Sequence, residues 1–123
     1  MKAIIAVNNL GFIGQGNELL WHNSDDLKHF KKLTMGCSCV VGRRTFDYMP
    51  ALIGREMIIF DGDFKSQHLD ADWCIGGRYT YEFFCSHFTE LHISHINDNQ
   101  IGDVTFPDFT NLNPTCKVYN YSF

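Results

Sequence analysis

Val40-Val41-Gly42-Arg43-Arg44-Thr45 and Cys74-Ile75-Gly76-Gly77-Arg78-Tyr79 repeat one pattern: a short apolar run, glycine, then a helix start. Glycine there lets a strand turn sharply into a helix. The rhythm extends in both directions. Lys2 to Val7 is β-rich with no periodic polar face, as in a central strand buried on both sides. Cys37–Val41, Met57–Phe60, Trp73–Ile75 and Leu91–Ile96 read as further strands, and Lys117–Tyr121 as a last one. Helices are predicted from Ser24, over Arg43–Tyr48 and over Tyr79–Phe84. Ser24 is the expected cap of the first helix, and Asp25 and Asp26 suit its dipole. Leu27, Phe30 and Leu33 form its apolar stripe. Asn8–Leu20 and Asp61–Asp72 read as loops. Strand, crossover, strand implies an α/β domain with a mostly parallel central sheet and flanking helices. Ligands of such sheets bind beyond the carboxyl ends of the strands.

The chain has 123 residues, enough for one domain over positions 1–123 and one core. Its net charge of −4 excludes a dominant basic surface, so nucleic acid is not an expected partner. Ala3–Val7 is the longest N-terminal apolar run, too short for a membrane span, so no membrane partner is expected either. The five cysteines include no C-x-x-C pair and fit reduced thiols in the cytoplasm. No zinc-finger spacing is present. His92 and His95 lie three apart on a strand and so face opposite sides.

Two glycine-led helix starts suit a pyrophosphate, hence a dinucleotide, and Arg43 and Arg44 add cations beside the first. Read singly, each glycine turn is better explained by chain geometry alone. Gly11-Phe12-Ile13-Gly14-Gln15-Gly16 is not a dinucleotide fingerprint, because its glycine spacing is reversed and no helix starts inside it. Asp26 follows Trp21 closely and shares a helix face with Phe30. A carboxylate on an apolar face is costly unless a cation or donor meets it. By spacing alone, a helix-dipole role for Asp26 is the better explanation.

In order along the chain stand Ile4 through Ile13-Gly14, Trp21, Asp26-Leu27-x-x-Phe30, Gly42-Arg43-Arg44-Thr45, Gly54-Arg55, Gly76-Gly77 with Tyr81, Ser94-His95-Ile96, Gly102-Asp103 and Phe106-Pro107-Asp108. In this series the sequence resembles the dihydrofolate reductases nearly end to end. It departs from them in Leu20, where a proline is usual before the tryptophan, and in a short Phe60–Trp73 stretch. It also departs in a C-terminus with one strand in place of a closing hairpin.

The resemblance implies NADPH-dependent hydride transfer to 7,8-dihydrofolate, giving tetrahydrofolate for one-carbon and thymidylate synthesis, with antifolates as further ligands. It assigns Asp26, Trp21 and Tyr81 to the catalytic centre, with Asp26 on the pterin and Ser94 supporting it. Carbonyls of Ile4 and Ile75 would line the pocket, and Leu27, Phe30, Met49 and Leu52 would grip the aminobenzoyl ring. Arg55 would hold the glutamate carboxylate. Around the cofactor it implies Ala6, Ile13 and Gly14 at the carboxamide, then Gly42, Arg43, Arg44 and Thr45. Phe60, Asp61, Ile75, Gly76 and Gly77 follow, and then Arg78, Tyr79, Thr80 and Tyr81. Asp61 would repel a 2′-phosphate, which leaves NADH as a second cofactor. The Gly14–Leu20 segment would close over the site, pinned by Asp103. No metal is implied. A non-catalytic pterin- or nucleotide-binding module and a same-fold pyrimidine reductase are the alternatives.

Overall fold

The computed structural model describes residues 1–16, 19–109 and 114–123. The strands are β1 (Lys2–Asn8), β2 (Phe12–Gly14), β3 (Ser38–Gly42), β4 (Glu56–Phe60), β5 (Trp73–Cys74), β6 (Glu90–Ile96), β7 (Val104–Thr105) and β8 (Thr115–Tyr121). The helices are α1 (Ser24–Thr34), α2 (Arg43–Tyr48) and α3 (Arg78–Phe84), with 3₁₀ turns at Ser66–Asp70 and Cys85–His87. Six strands form one sheet in the order β4-β3-β5-β1-β6-β8, and its described pairings are all parallel. The chain leaves β1 for β3 and β4, returns to β5 beside β1, and then crosses to β6 on the far side. The direction of winding therefore reverses between β5 and β1, where an open α/β sheet presents its ligand crevice.

Alternation along β1 divides the core. Ala3 and Ile5 join Val40, Cys74, Tyr81 and Phe84 on one face, while Ile4 joins Cys39 and Trp73 on the other. Phe30 and Leu33 of α1 pack on that second cluster. Both faces of β1 are covered, which accounts for its unbroken apolar sequence. No helix among the described residues is long and apolar enough to cross a membrane.

Four local expectations are corrected. Asn23, not Ser24, caps α1: its side-chain oxygen accepts from the Asp26 N–H at 3.0 Å, and Ser24 becomes the first helical residue. The 8–20 segment is not all loop, since β2 within it pairs antiparallel with β7. Buried Asn8 folds that turn, its carbonyl oxygen accepting from Leu10 and Phe12 and its amide donating to Gln100 O at 2.7 Å. β5 ends at Cys74, so Ile75 stands past the strand, though its N–H still bonds Val40 O at 3.0 Å. β8 runs two residues earlier than expected and lies parallel to β6 at the sheet edge.

Candidate active site

At the carboxyl ends of β3 and β5 the two glycine turns interlock. The Gly42 N–H donates to Gly76 O at 2.7 Å. A Cβ on Gly42 would stand 2.6 Å from Thr80 Oγ1, and one on Gly77 2.8 Å from Thr45 Oγ1. Close approach to the other turn thus requires glycine at both positions. Thr45 and Thr80, expected at a cofactor, fill these contacts. Gly42→Ala should therefore cost about 1–3 kcal/mol of stability through overpacking. The same substitution in a Thr80→Ala background should cost clearly less, as urea midpoints will show. Equal costs in both backgrounds would remove the hydroxyl contact as the cause.

The cations here are unequally available. Arg43 lies 3.4 Å from Asp47 and is well exposed, and Arg44 is also exposed. Arg78, expected on the cofactor, is tied down in this state, donating to Glu82 at 2.8 Å and to Thr105 of β7 at 3.0 Å. Phe60 is expected at the same site, but its ring is core, 2% exposed and edge-on to His68 and Phe84. Tyr79 lies nearly parallel to that ring with centroids 6.2 Å apart and is itself open to solvent. Asp61 is exposed, and its carboxylate accepts from the Asp63 N–H at 3.1 Å.

At the switch point, α1 brings Asp26 against β6. Asp26 is only 7% exposed. Burial pushes its pKa up, while a hydrogen bond with Ser94 and the charge of His29 pull it back. Ser94 is buried on β6, beside Ala6 of β1 in register. Tyr81 is buried and donates to Ile4 O at 2.6 Å, so the carbonyl expected to face a ligand already has a partner. Burial first, then Cys74 and Asp26, push the Tyr81 hydroxyl well above its ordinary pKa. Trp21 is buried, and its Nε1–H meets no acceptor among the described residues. A buried donor left over in this way is the feature a bound polar group completes. Gly14 is buried and Ile13 half-buried, and Asp103 joins them: Gly16 N–H donates to its carboxylate at 2.7 Å, and its own N–H donates to Gly14 O at 3.2 Å. Positions 17 and 18 of the expected closing segment lie outside the described residues.

Arg55 borders a cleft of about 370 Å³ lined by Lys31, Met35, Ala51, Ile53, Gly54 and Arg55 itself. Its Nε and Nη1 are buried with no partner among the described residues. Two guanidinium nitrogens out of water without a partner are costly, and a carboxylate from outside would satisfy them. Phe30, Met49 and Leu52 are half-buried, and Leu27 is 37% exposed. Lys31 was not anticipated as part of this cleft. Its signal was available, since it sits one turn after Leu27 on the same helix face.

The buried Trp21 nitrogen, the unpaired Arg55 fork and the glycine turns beside exposed Arg43 and Arg44 suit a polar heterocycle, a carboxylate and a dinucleotide. A family model described as dihydrofolate reductase matches residues 1–74. Dihydrofolate reductase type 3 of Salmonella typhimurium is 33% identical over 129 residues, covering 89% of this chain and 78% of that protein. The dihydrofolate reductase of Buchnera aphidicola is 27% identical over 144 residues, covering 100% and 86%. A solved dihydrofolate reductase from Enterococcus faecalis, complexed with NADP(H) and RAB-propyl, superposes with a TM-score of 0.77 at 28% identity. That superposition covers 89% of this chain and 77% of the other. Matched by the family model over more than half its length, and by a 33% identical relative that it spans by more than two thirds, the chain belongs to the dihydrofolate reductase family of oxidoreductases.

Proposed function

We propose that the chain reduces 7,8-dihydrofolate to tetrahydrofolate with NADPH in the cytoplasm, supplying one-carbon and thymidylate synthesis. The observation that carries this is the buried Asp26 carboxylate, hydrogen-bonded with Ser94 at the switch point of the sheet. NADPH, when bound, supplies the hydride. Asp26 accepts from N3 and the 2-amino group of the pterin, which fixes the ring and favours proton uptake at N5 from water. Trp21 offers Nε1–H to the same region, and Tyr81 walls the nicotinamide side. Arg55, with Lys31 beside it, takes the glutamate tail, while Leu27, Phe30, Met49 and Leu52 grip the aminobenzoyl ring. Gly42, Arg43, Arg44, Gly76 and Gly77 receive the pyrophosphate side. A structural module without substrate would gain nothing from an unpaired buried guanidinium, and that favours the enzyme over a scaffold. The test is loss of NADPH absorbance with dihydrofolate, paired with a thermal shift by an antifolate. No turnover and no shift would sink this reading.

Cofactor choice follows from charge. One Arg–phosphate contact is worth about 1.5–3 kcal/mol, enough for a preference of tenfold or more. Asp61 at the end of β4 offsets part of it, so the expected preference for NADPH over NADH is weak. Asp61→Ser should tighten NADPH and leave NADH nearly unchanged, read as cofactor Kd values at one ionic strength. Equal gains for both cofactors would put Asp61 away from the 2′-phosphate.

A further inference from the structure

Arg78 is the first residue of α3 and directly follows Gly77 of the second glycine turn. Its guanidinium is engaged on two sides. Nε donates to Glu82 Oε1 at 2.8 Å, one helical turn on, which orients the fork. Nη1 donates to Thr105 Oγ1 at 3.0 Å, 27 residues along the chain. Thr105 belongs to β7, which with β2 forms a separate two-stranded sheet. In that sheet Thr105 pairs with Phe12 and Val104 with Gly14. The ladder is closed by the Asp103 N–H, which donates to Gly14 O at 3.2 Å, and by the Phe106 N–H, which donates to Gly11 O at 2.8 Å. These bonds make one arm of residues 11–16 and 103–106. Two strands this short are not stable by themselves, so the arm takes its place from what holds it to the body. Asn8 holds its base, accepting from the Phe12 N–H at 3.0 Å. Ile13 and Phe106 pack on the core cluster that includes Tyr81 and Phe84 of α3. Arg78 adds a polar tie from the start of that same helix.

We propose that Arg78 is a positioning residue: it holds the β2–β7 arm against the second glycine turn, and it is not a ligand of the cofactor's phosphates. The proposal rests on the reading of this crevice as the cofactor site, with Ile13 and Gly14 of the arm at the carboxamide. Glu82 already balances the guanidinium charge, which weakens its pull on a phosphate. For a tie the same ion pair is useful, because it orients the donor that reaches Thr105. The bond is exposed and adds little to global stability; what it sets is the position of a locally weak element. An arm free to move is competent for binding only part of the time, and affinity for the nicotinamide end falls by that fraction.

The first measurement needs no cofactor. Amide exchange is followed by NMR on the full-length, ligand-free protein. Thr105→Val removes the acceptor and leaves Arg78 intact. The Asp103 and Phe106 amides should then exchange roughly threefold to tenfold faster, the scale of one lost hydrogen bond. Thr105→Ser keeps the hydroxyl and should exchange as the parent does. Arg78→Met should match Thr105→Val, and combining the two should add nothing. Unchanged arm exchange in Thr105→Val, or equal acceleration in the serine variant, overturns the proposal. The second measurement compares NADPH with 2′-phospho-ADP-ribose, which carries the cofactor's phosphates without its nicotinamide. Arg78→Met and Thr105→Val should each weaken NADPH about threefold to tenfold and leave the fragment unchanged. A fragment weakened as much as NADPH by Arg78→Met makes Arg78 a phosphate ligand and overturns the proposal. Tighter NADPH binding in Thr105→Val, through release of the fork, overturns it too. A parent that binds neither probe defeats the functional reading, and arm exchange alone then decides the tie.

Discussion

Asp26→Asn keeps the fold and lowers dihydrofolate turnover at neutral pH by roughly two to three orders of magnitude, the scale on which a single preorganised electrostatic group acts. The amide has nearly the shape of the carboxylate, and its oxygen can still pair with Ser94. It cannot carry the negative charge that fixes the pterin and draws a proton towards N5. Stability should move the other way. Burial raises the Asp26 pKa in the folded protein, so the native state holds this proton more tightly than the unfolded chain does. Between the ordinary carboxylate pKa and the raised one, the native state binds more protons, and parental stability falls as pH rises. Above that window the penalty on the buried carboxylate is fully present; below it the penalty is gone. Asparagine has no such penalty, so its stability relative to the parent should improve as pH rises through the window, as denaturant titrations at several pH values will show. Near-parental turnover, with a stability difference that ignores pH, would reduce Asp26 to a helix-dipole residue.

That opposition between activity and stability explains which parts of this chain could be read in advance. Strands covered on both faces are continuous apolar runs, so β1, β3 and β4 stand out in sequence within a residue or two of their observed ends. Glycine between strand and helix marks the two turns, since a Cβ at position 42 would collide with Thr80 and one at position 77 with Thr45. β2 and β7 are hidden because two or three residues have no period, and the turn before β2 is held by Asn8, which also reaches Gln100 far along the chain. The capping error is small and local: Asn23 and Ser24 are both good caps, and one residue of phase decides between them. Site chemistry is legible where a residue breaks a local rule, as Asp26 does on an apolar helix face. Arg78 stands beside Gly77, where its position suggests phosphate, and in the fold it bonds Glu82 one turn on and Thr105 far along the chain. Lys31 shares the Leu27 face of α1, a spacing visible in the sequence, but only the fold brings that face to the cleft that Arg55 lines.

Arg55→Leu should raise the KM for dihydrofolate about 10- to 100-fold and leave the NADPH Kd unchanged, the cost of one charge-assisted pair being roughly 1.5–3 kcal/mol. The direction follows from what the guanidinium lacks. Its Nε and Nη1 are out of water and unpaired among the described residues, and Lys31 lines the same cleft. Two like charges held near each other without an anion oppose folding, and a substrate carboxylate relieves both costs on binding. Removing Arg55 therefore does two things at once. It takes away the partner of the glutamate tail, and it removes an unpaired charge from the free protein. The ligand-free variant should melt no lower than the parent, and the thermal shift on adding dihydrofolate should shrink. A pterin without the glutamate tail isolates the cause, since its reduction by the variant should match that by the parent. Equal losses with both substrates would mean that Arg55 acts by shaping the cleft near Gly54, not through its charge. Lys31→Leu provides the internal comparison. Its Nζ sits on a flexible stem at the same cleft, so its loss should weaken dihydrofolate less than the loss of the planar fork, by no more than about tenfold.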